Sequence, residues 1–363
     1  MKRYFPLLLG VIFFGCQPKV TDNSHITIDV DKAISVSLDD KSAYLGDPIH
    51  LDYLDEKGLI ANIDAFYSFD DCFLMLSNKR LIKFDKLTGK FIGNISGAGR
   101  GPGEYSGPIK VWKIDDEISI FDFNTSRVVI FDINNNFIKD NKINGGWGSN
   151  IFQDLFPFGE KGGFVGKMQF FGRPGVDPEL AYYDSNYVYV QTIGDFKLTS
   201  GIRFSRQPFS RYGSEVLYWR TLNYDIWAID KDLNFSKKYQ LDFGKYNIPE
   251  GEYADEYNVI DFLNKRTQSY ASILQGVQET KKYLMFSFKV GKGNEGEQYV
   301  EIYDKRSGKS NLFTFNGKNV MRVDFLPISE NEVYLYAVIE DTNGVICKLN
   351  VDKLVAAYKR QNL

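Results

Sequence analysis

Side chains that commonly act as general acids, general bases or metal ligands are scarce in this chain. Its only histidines, His25 and His50, stand near the N-terminus, which excludes a histidine-based triad or a multi-histidine metal site in the rest of the sequence. Two pairs of adjacent carboxylates, Asp70–Asp71 and Asp115–Asp116, could share acid and base roles. Both pairs stand in polar turns, where aspartate is favoured because it accepts hydrogen bonds from turn amides. We therefore expect no catalytic residue, no metal and no cofactor.

Arginine and aromatic side chains offer binding chemistry instead. An arginine fork binds a carboxylate through two hydrogen bonds, and an aromatic ring stacks on a sugar or peptide face. Eight of the 13 arginines lie in segments that connect or reverse the strands described below. Glu104 is placed to orient Arg100 by an ion pair. Alternatively, these arginines are solvated or pair with acidic neighbours such as Glu179. The candidate ligand-binding residues are Arg100, Glu104, Tyr105, Trp147, Arg173, Arg203, Arg206 and Arg211.

The overall composition restricts the class of partner. The chain has 363 residues, a formal net charge of -3 and a pI near 5.7. It has no bulk attraction for polyanions, so no nucleic-acid partner is expected. Hydrophobic residues make up 43% of the chain and aromatic residues 15%, which is enough to bury a full core.

One motif recurs six times: an apolar strand ends in Asp, or in Asn in the last copy, and a polar turn and a second strand follow. The steps between the Asp positions are 47, 52, 46, 74 and 46 residues. Another pair of strands precedes each copy, so every unit contains four strands. The repeated position is occupied by Asp85, Asp132, Asp184, Asp230, Asp304 and Asn350.

Four-stranded units of this length are typical of propeller blades, which bury their faces against neighbouring blades. Six units predict an all-β fold: a single six-bladed β-propeller of four-stranded antiparallel blades over residues 34–363. The spare strand Ile49–Leu54 is assigned to blade six, where it would close the ring. The C-terminal run from Asp352 is predicted to form a short helix outside the ring.

The two faces of such a ring carry different loops. The links between blades and the middle hairpins share one face, which we call the link-and-hairpin face. The first turn of each blade and the Asp turns share the opposite face, the turn face. Because the eight arginines are assigned to the link-and-hairpin face, we predict that this face holds the ligand site.

Cys72 and Cys347 lie in apolar, strand-like runs. A cysteine in such a run usually behaves as a small buried hydrophobic residue. A disulfide between the two stays open as an alternative, because the first and last repeats of a ring are neighbours.

The N-terminus has the features of an export signal. Lys2 and Arg3 precede a mostly apolar run of ten residues, Phe5–Phe14, and Gly15 and Cys16 follow. Such a run is too short to cross about 30 Å of hydrocarbon as a helix. We predict a signal peptide over residues 1–15 and a polar tether over residues 16–33.

A small residue followed by Cys after an apolar run resembles a lipobox. The resemblance implies that Cys16 is acylated and that the membrane is a partner through this lipid. Gln17 after the cysteine is similar to the pattern of lipoproteins sent to the outer membrane. The implied address is therefore the outer membrane of a bacterium, with the periplasmic and the surface-facing leaflet both open.

The segment Gly97–Pro108, GAGRGPGEYSGP, is rich in glycine. A phosphate loop is excluded because such loops open a helix, whereas a strand pattern follows here. The segment resembles the glycine-rich element of NHL repeats and, more specifically, the GxGPGEY loop of six-bladed propeller lipoproteins from Bacteroides-type bacteria. The resemblance covers about residues 34–358 and implies the same fold and address.

These features together favour a membrane-anchored, non-catalytic binding module. Its partner would be an acidic glycan, a peptide or a protein of the cell envelope. A lactonase-like or glycan-processing enzyme is a first alternative, and it would need convergent carboxylates around a metal in the channel. A structural scaffold of an envelope complex is a second, and it would need a large apolar patch on the outer rim.

Overall fold

The described part of the chain is built almost entirely of short β-strands. In the computed structural model, 26 strands, two 3₁₀ turns (Val30–Lys32 and Gly244–Tyr246) and one α-helix, α1 (Val351–Gln361), are present within the described residues. The described residues are 24–39, 44–52, 60, 63–97, 99–114, 116–143, 152–159, 162–168, 178–197, 208–220, 223–249, 269–292, 295–329, 331–340 and 344–361. None of their helices is both long enough and apolar enough to span a bilayer.

Three strands precede the blades, and three blades then follow in chain order, each built from the channel outwards. The leading strands are β1 (His25–Thr27), β2 (Ile34–Ser37) and β3 (Ile49–His50). Blade one contains β4 (Ala65–Ser68), β5 (Cys72–Ser77), β6 (Arg80–Asp85) and β7 (Phe91–Asn94). Blade two contains β8 (Pro108–Ile114), β9 (Glu117–Asp122), β10 (Arg127–Asp132) and β11 (Phe137–Lys142). Blade three contains β12 (Phe152–Phe158), β13 (Gly163–Met168), β14 (Pro178–Tyr183) and β15 (Tyr189–Lys197).

The second half of the ring repeats this plan. Blade four contains β16 (Phe209–Tyr212), β17 (Glu215–Trp219), β18 (Asp225–Ile229) and β19 (Phe235–Asp242). Blade five contains β20 (Tyr270–Glu279), β21 (Tyr283–Lys292), β22 (Glu295–Asp304) and β23 (Leu312–Asn316). Blade six contains β24 (Val320–Pro327), β25 (Val333–Ile339) and β26 (Val345–Lys348), with β3 as its outer strand. The predicted six-bladed propeller of antiparallel blades is confirmed.

Both faces of a blade are apolar because each face enters a different core. In β10, Val128 and Ile130 pack between blades two and three, whereas Val129 and Phe131 pack between blades one and two. Strand alternation therefore sends neighbouring residues to opposite cores. Six buried clusters fill the six interfaces between neighbouring blades.

The ring closes between blades six and one, as predicted. Ile49 and His50 of β3 pair antiparallel with Ile346 and Val345 of β26. On the turn face, the Lys86 Nζ atom of blade one lies 2.6 Å from a carboxylate oxygen of Glu332 in the first turn of blade six. A strand from the N-terminal side and an ion pair thus hold the two ends of the repeat array together.

The segment 24–37, which we call the N-terminal belt, lies along the outer rim. β1 runs parallel to β19 in blade four, and β2 runs parallel to β23 in blade five, so these two sheets contain five strands. Ile26 and Ile28 are each only 1% exposed. The tether predicted for residues 16–33 therefore cannot extend to residue 33, because its last ten residues pack against the ring.

The repeated Asp residues shape the outer turns. The Asp230 Oδ1 atom accepts hydrogen bonds from the amides of Asp232 and Asn234, each at 2.9 Å. The Asn350 side chain instead caps α1, since it accepts a hydrogen bond from the Lys353 amide at 3.0 Å. The predicted structural role and the predicted C-terminal helix are both confirmed. Equivalent turn contacts are made by Asp85, Asp132, Asp184 and Asp304.

Cys72 and Cys347 are free thiols. Burial raises the pKa of the Cys72 thiol to about 11, so it stays protonated near neutral pH. The disulfide alternative is therefore not realised, and the interpretation of Cys72 as a buried apolar residue is confirmed.

Candidate functional site

Tyr105 was a candidate ligand-binding residue, but it is a core residue. It is 1% exposed, and its hydroxyl donates to the Ile95 carbonyl and accepts from the Leu81 amide at 3.3 Å. Burial raises its pKa to about 12. The prediction was wrong because an aromatic residue in a glycine-rich loop gave no sign that the loop folds back onto blade one.

Glu104 and Arg100 do not form the expected ion pair. The Glu104 carboxylate accepts a hydrogen bond from the Gly101 amide at 2.8 Å, which closes the glycine-rich turn on itself. The Glu104 carboxylate also packs directly against Gly99, since a Cβ atom there would lie 2.0 Å from a Glu104 oxygen and would displace it. Glu104 is therefore a structural residue, and Arg100 is exposed.

Arg127 and Asp122 fix the rest of this loop. Arg127 donates to the carbonyls of Gly101 and Glu104 at 3.2 and 2.6 Å. Asp122 is fully buried and accepts from the amides of Ser106 and Gly107. The loop that resembled the NHL element thus forms an internally bonded corner between blades one and two.

Several candidate residues lie outside the described residues. They are the lipidation residue and four residues of the long connections, namely Cys16, Trp147, Arg173, Arg203 and Arg206. Their roles stay predictions.

Arg211 lies in a different place from the one predicted. It belongs to β16, the inner strand of blade four, and lines the central channel close to the turn face. The assignment to the link-and-hairpin face was wrong because the strand begins earlier than the sequence suggested. Among the candidates described, Arg211 lies in the wall of a cavity.

That cavity has a volume of about 560 Å³. The inner strands of all six blades contribute to its wall, each with the half that leads into the first turn of its blade. The cavity therefore opens toward the turn face. Its aromatic lining consists of Phe66, Tyr67, Phe69, Trp112, Phe156, Phe209 and Trp219.

Three cationic side chains line the same cavity. The Lys110 Nζ atom lies 4.9 Å from the centre of the Phe156 ring, and the Lys113 Nζ atom lies 6.0 Å from that of Phe69. Arg211 donates one hydrogen bond to the Pro157 carbonyl at 2.7 Å. Although the Arg211 side chain is exposed, surrounding protein displaces water from its guanidinium and lowers its pKa.

Sequence reasoning missed the two lysines. They stand in PIKVWKI, a run that otherwise reads as a buried strand. A lysine in the first strand of a blade is the signal that was available, because that strand is the innermost one and borders the channel.

Two lining residues carry polar atoms that have no hydrogen-bond partner among the described residues. These atoms are Trp112 Nε1 and Ser210 Oγ, and both are shielded from solvent. Buried donors are normally paired. Because neither atom is open to the cavity, both are unsatisfied groups inside the wall and not contacts presented to a ligand.

A further buried charged cluster lies between blades three and four, away from this cavity. Glu179 accepts hydrogen bonds from Tyr218 and Arg220, and the Lys167 Nζ atom lies 3.5 Å away. Burial lowers the pKa of Lys167. Glu179 therefore pairs with Arg220, which is not among the candidate arginines.

Neither carboxylate pair noted in the sequence forms a described metal site. Asp70, Asp71 and Asp116 are exposed, and Asp115 lies outside the described residues. Within the part of the chain that the structure describes, no group of three or more His, Cys, Asp or Glu residues is arranged to hold a metal ion.

Comparison with known families and structures agrees with this architecture. The family described as Domain of unknown function (DUF4934) matches residues 26–350. A crystal structure from Bacteroides fragilis, named as that of an exported protein, is 15% identical with a TM-score of 0.68, over 90% of this chain and 98% of that chain. A DUF4221 family member from Bacteroides vulgatus is 10% identical with a TM-score of 0.56, over 84% of this chain and 96% of that chain. At these identities the similarity establishes the fold alone, and no curated protein matches the chain.

Proposed function

This chain belongs to the DUF4934 family, and we propose that it is a non-catalytic binding module that holds its ligand in the central channel at the turn face. The cavity of about 560 Å³ carries this proposal. Small-molecule sites commonly measure about 300–1,000 Å³ and combine apolar walls with a few polar groups. The aromatic wall and the three cations of this channel have that composition.

The position of the cavity supports binding by a preformed site. Its wall consists of strands that are fixed by the six interblade cores. A ligand that enters such a wall loses little free energy to reorganisation of the protein. We therefore expect binding without a large change in the ring.

The address is part of the same proposal. The N-terminal pattern that ends in Gly15 and Cys16 supports export and acylation, and Gln17 supports the outer membrane. The lipobox and the similarity to NHL-type lipoproteins are the arguments for this address. Cys16→Ser should release the protein from membranes in soluble form, and a variant that stays membrane-bound would contradict the anchor.

The binding proposal is tested by a thermal-shift screen of the Cys16→Ser protein against small organic acids, their neutral analogues, oligosaccharides and short peptides. A ligand that binds only the native ring raises the melting temperature. Gln278 lines the cavity on β20, so Gln278→Trp should fill the channel and abolish the shift.

The control for this screen is the triple variant R173A/R203A/R206A. It removes the candidate arginines of the long connections and changes none of the described lining residues of the cavity. A hit that Gln278→Trp removes and the triple variant retains supports the channel. A hit with the opposite behaviour would move the site to the link-and-hairpin face, where an acidic glycan, a peptide or an envelope protein was expected.

A further inference from the structure

The channel lining points to one class of ligand. Resting on the proposed function above, we propose that the channel binds a small carboxylate anion with an apolar or aromatic body. Lys113 and Arg211 would hold the carboxylate, and the aromatic wall would hold the body. A cavity alone does not define the chemistry of its ligand.

The charge of the wall favours an anion. Three cationic side chains line the cavity, and none of its described lining residues is Asp or Glu. Arg211 has no carboxylate partner among the residues described, since its guanidinium contacts the Pro157 carbonyl. A partly dehydrated guanidinium with free N–H groups binds a carboxylate more strongly than a solvated one does, because the surrounding dielectric is lower.

The hydrogen-bonding groups favour an acceptor. Lys113 and Arg211, which line the cavity, carry hydrogen-bond donors and no acceptor on their side chains. The Gln278 amide nitrogen already donates to the carbonyls of Arg211 and Glu279. A neutral sugar needs acceptors for its many hydroxyl hydrogens. This wall offers mainly donors, so a carboxylate satisfies it better than a polyol.

The aromatic residues favour an apolar body. Tyr67, Phe69 and Phe156 line the cavity and are only partly buried, and Phe156 and Phe209 lie with ring centres 5.9 Å apart. Aromatic surfaces of this kind gain free energy by excluding water from an apolar group. A ligand with one ring and one carboxylate would use both parts of the cavity.

The test compares 3-phenylpropionate with its uncharged amide, 3-phenylpropionamide. Binding is measured by calorimetry and by the fluorescence of tryptophan, because Trp112 and Trp219 line the cavity. We expect the carboxylate to bind at least about tenfold more tightly than the amide, which corresponds to about 1.4 kcal/mol. Digalacturonate serves as the acidic-sugar probe and should bind more weakly than 3-phenylpropionate.

Arg211→Gln should remove the preference for the carboxylate, whereas Arg306→Gln should retain it. Arg306 is the matched control because it is an exposed arginine in an outer turn of blade five. If Arg211→Gln melts at a much lower temperature than the wild type, Lys113→Gln replaces it, since the half-buried Lys113 borders the same cavity.

The outcomes separate this inference from the proposed function. Equal binding of acid and amide, tighter binding of digalacturonate, or no binding of 3-phenylpropionate at millimolar concentration each overturns the carboxylate assignment. If neutral ligands bind and Gln278→Trp abolishes their binding, the channel stands as the site and only the ligand class is wrong. If Gln278→Trp affects no ligand, the proposed function itself fails.

Discussion

At the scale of single residues, position within a turn decides what a carboxylate does. The repeated Asp residues accept two amide hydrogen bonds each, and Asp232, which is only two residues from Asp230, pairs with exposed Lys231 at 3.4 Å. Asp230→Ala leaves two turn amides without their acceptor and should lower the melting temperature. Asp232→Ala should leave it nearly unchanged. Equal effects of the two variants in thermal denaturation would contradict the assigned role.

Glu301 gives a prediction about pH. It is fully buried in β22, and burial raises its pKa to about 8. Because the unfolded state releases this proton near pH 4.5 and the folded state holds it to about pH 8, stability falls as the pH rises through this window. Glu301→Gln cannot ionise and should therefore gain stability over the wild type with rising pH.

The Glu301 prediction is measured by urea unfolding at pH 5, 7 and 9. The difference between variant and wild type should grow with pH, with roughly 5 kcal/mol as an upper bound for a shift of this size. A matched variant, Glu297→Gln, removes an exposed carboxylate from the same strand. A constant difference for Glu301→Gln across this range would show that the buried carboxyl is not protonated in the folded state.

Residue roles were predictable only where local geometry decides them. The Asp turns followed from residue type and spacing, because an Asx turn needs only the next few amides. Tyr105 and Arg211 could not be placed in this way. Contacts between distant parts of the chain decide whether a loop folds back onto a strand. They also decide whether a strand begins earlier than its sequence pattern suggests.

At the scale of elements, the N-terminal belt was the main departure from expectation. The run HITIDV has three apolar positions, Ile26, Ile28 and Val30, each separated from the next by one residue, which is a strand pattern. Because polar residues flank this run, its sequence favoured an interpretation as part of the tether. The parallel pairing with β19 could not be foreseen, since the partner strand lies more than 200 residues later.

The belt carries a stability prediction. Ile26→Ala removes buried apolar volume between the belt and blade four, and should cost about 2–5 kcal/mol. Thr27→Ala changes an exposed side chain of the same strand and should cost little. Chemical denaturation of the two variants measures both values. If Ile26→Ala is as stable as Thr27→Ala, the belt does not pack on the rim as described.

At the scale of the whole molecule, closure of the ring makes the blades interdependent. Lys86 bridges blades one and six through Glu332, and both side chains are partly buried. Lys86→Met leaves the Glu332 carboxylate without its cation and should cost roughly 1–3 kcal/mol. Because six shared cores join the blades, the melting transition should move to lower temperature without splitting in two. Calorimetry measures this, with Lys90→Met, an exposed change in the same hairpin, as the control.

A split transition in Lys86→Met would mean that blades unfold separately and that the closed ring is not the cooperative unit.

The six-bladed ring itself was predictable from the sequence because repeats reveal their own periodicity. The channel cavity was not, because it depends on how inner strands from six units converge. No single repeat contains information about the space that the six repeats enclose.

The binding site can be located by a crystal structure of the protein bound to the strongest hit of the ligand screen. We expect electron density for the ligand inside the ring, within hydrogen-bonding distance of Arg211 and in contact with Trp112. Density at the link-and-hairpin face with an empty channel would contradict this expectation.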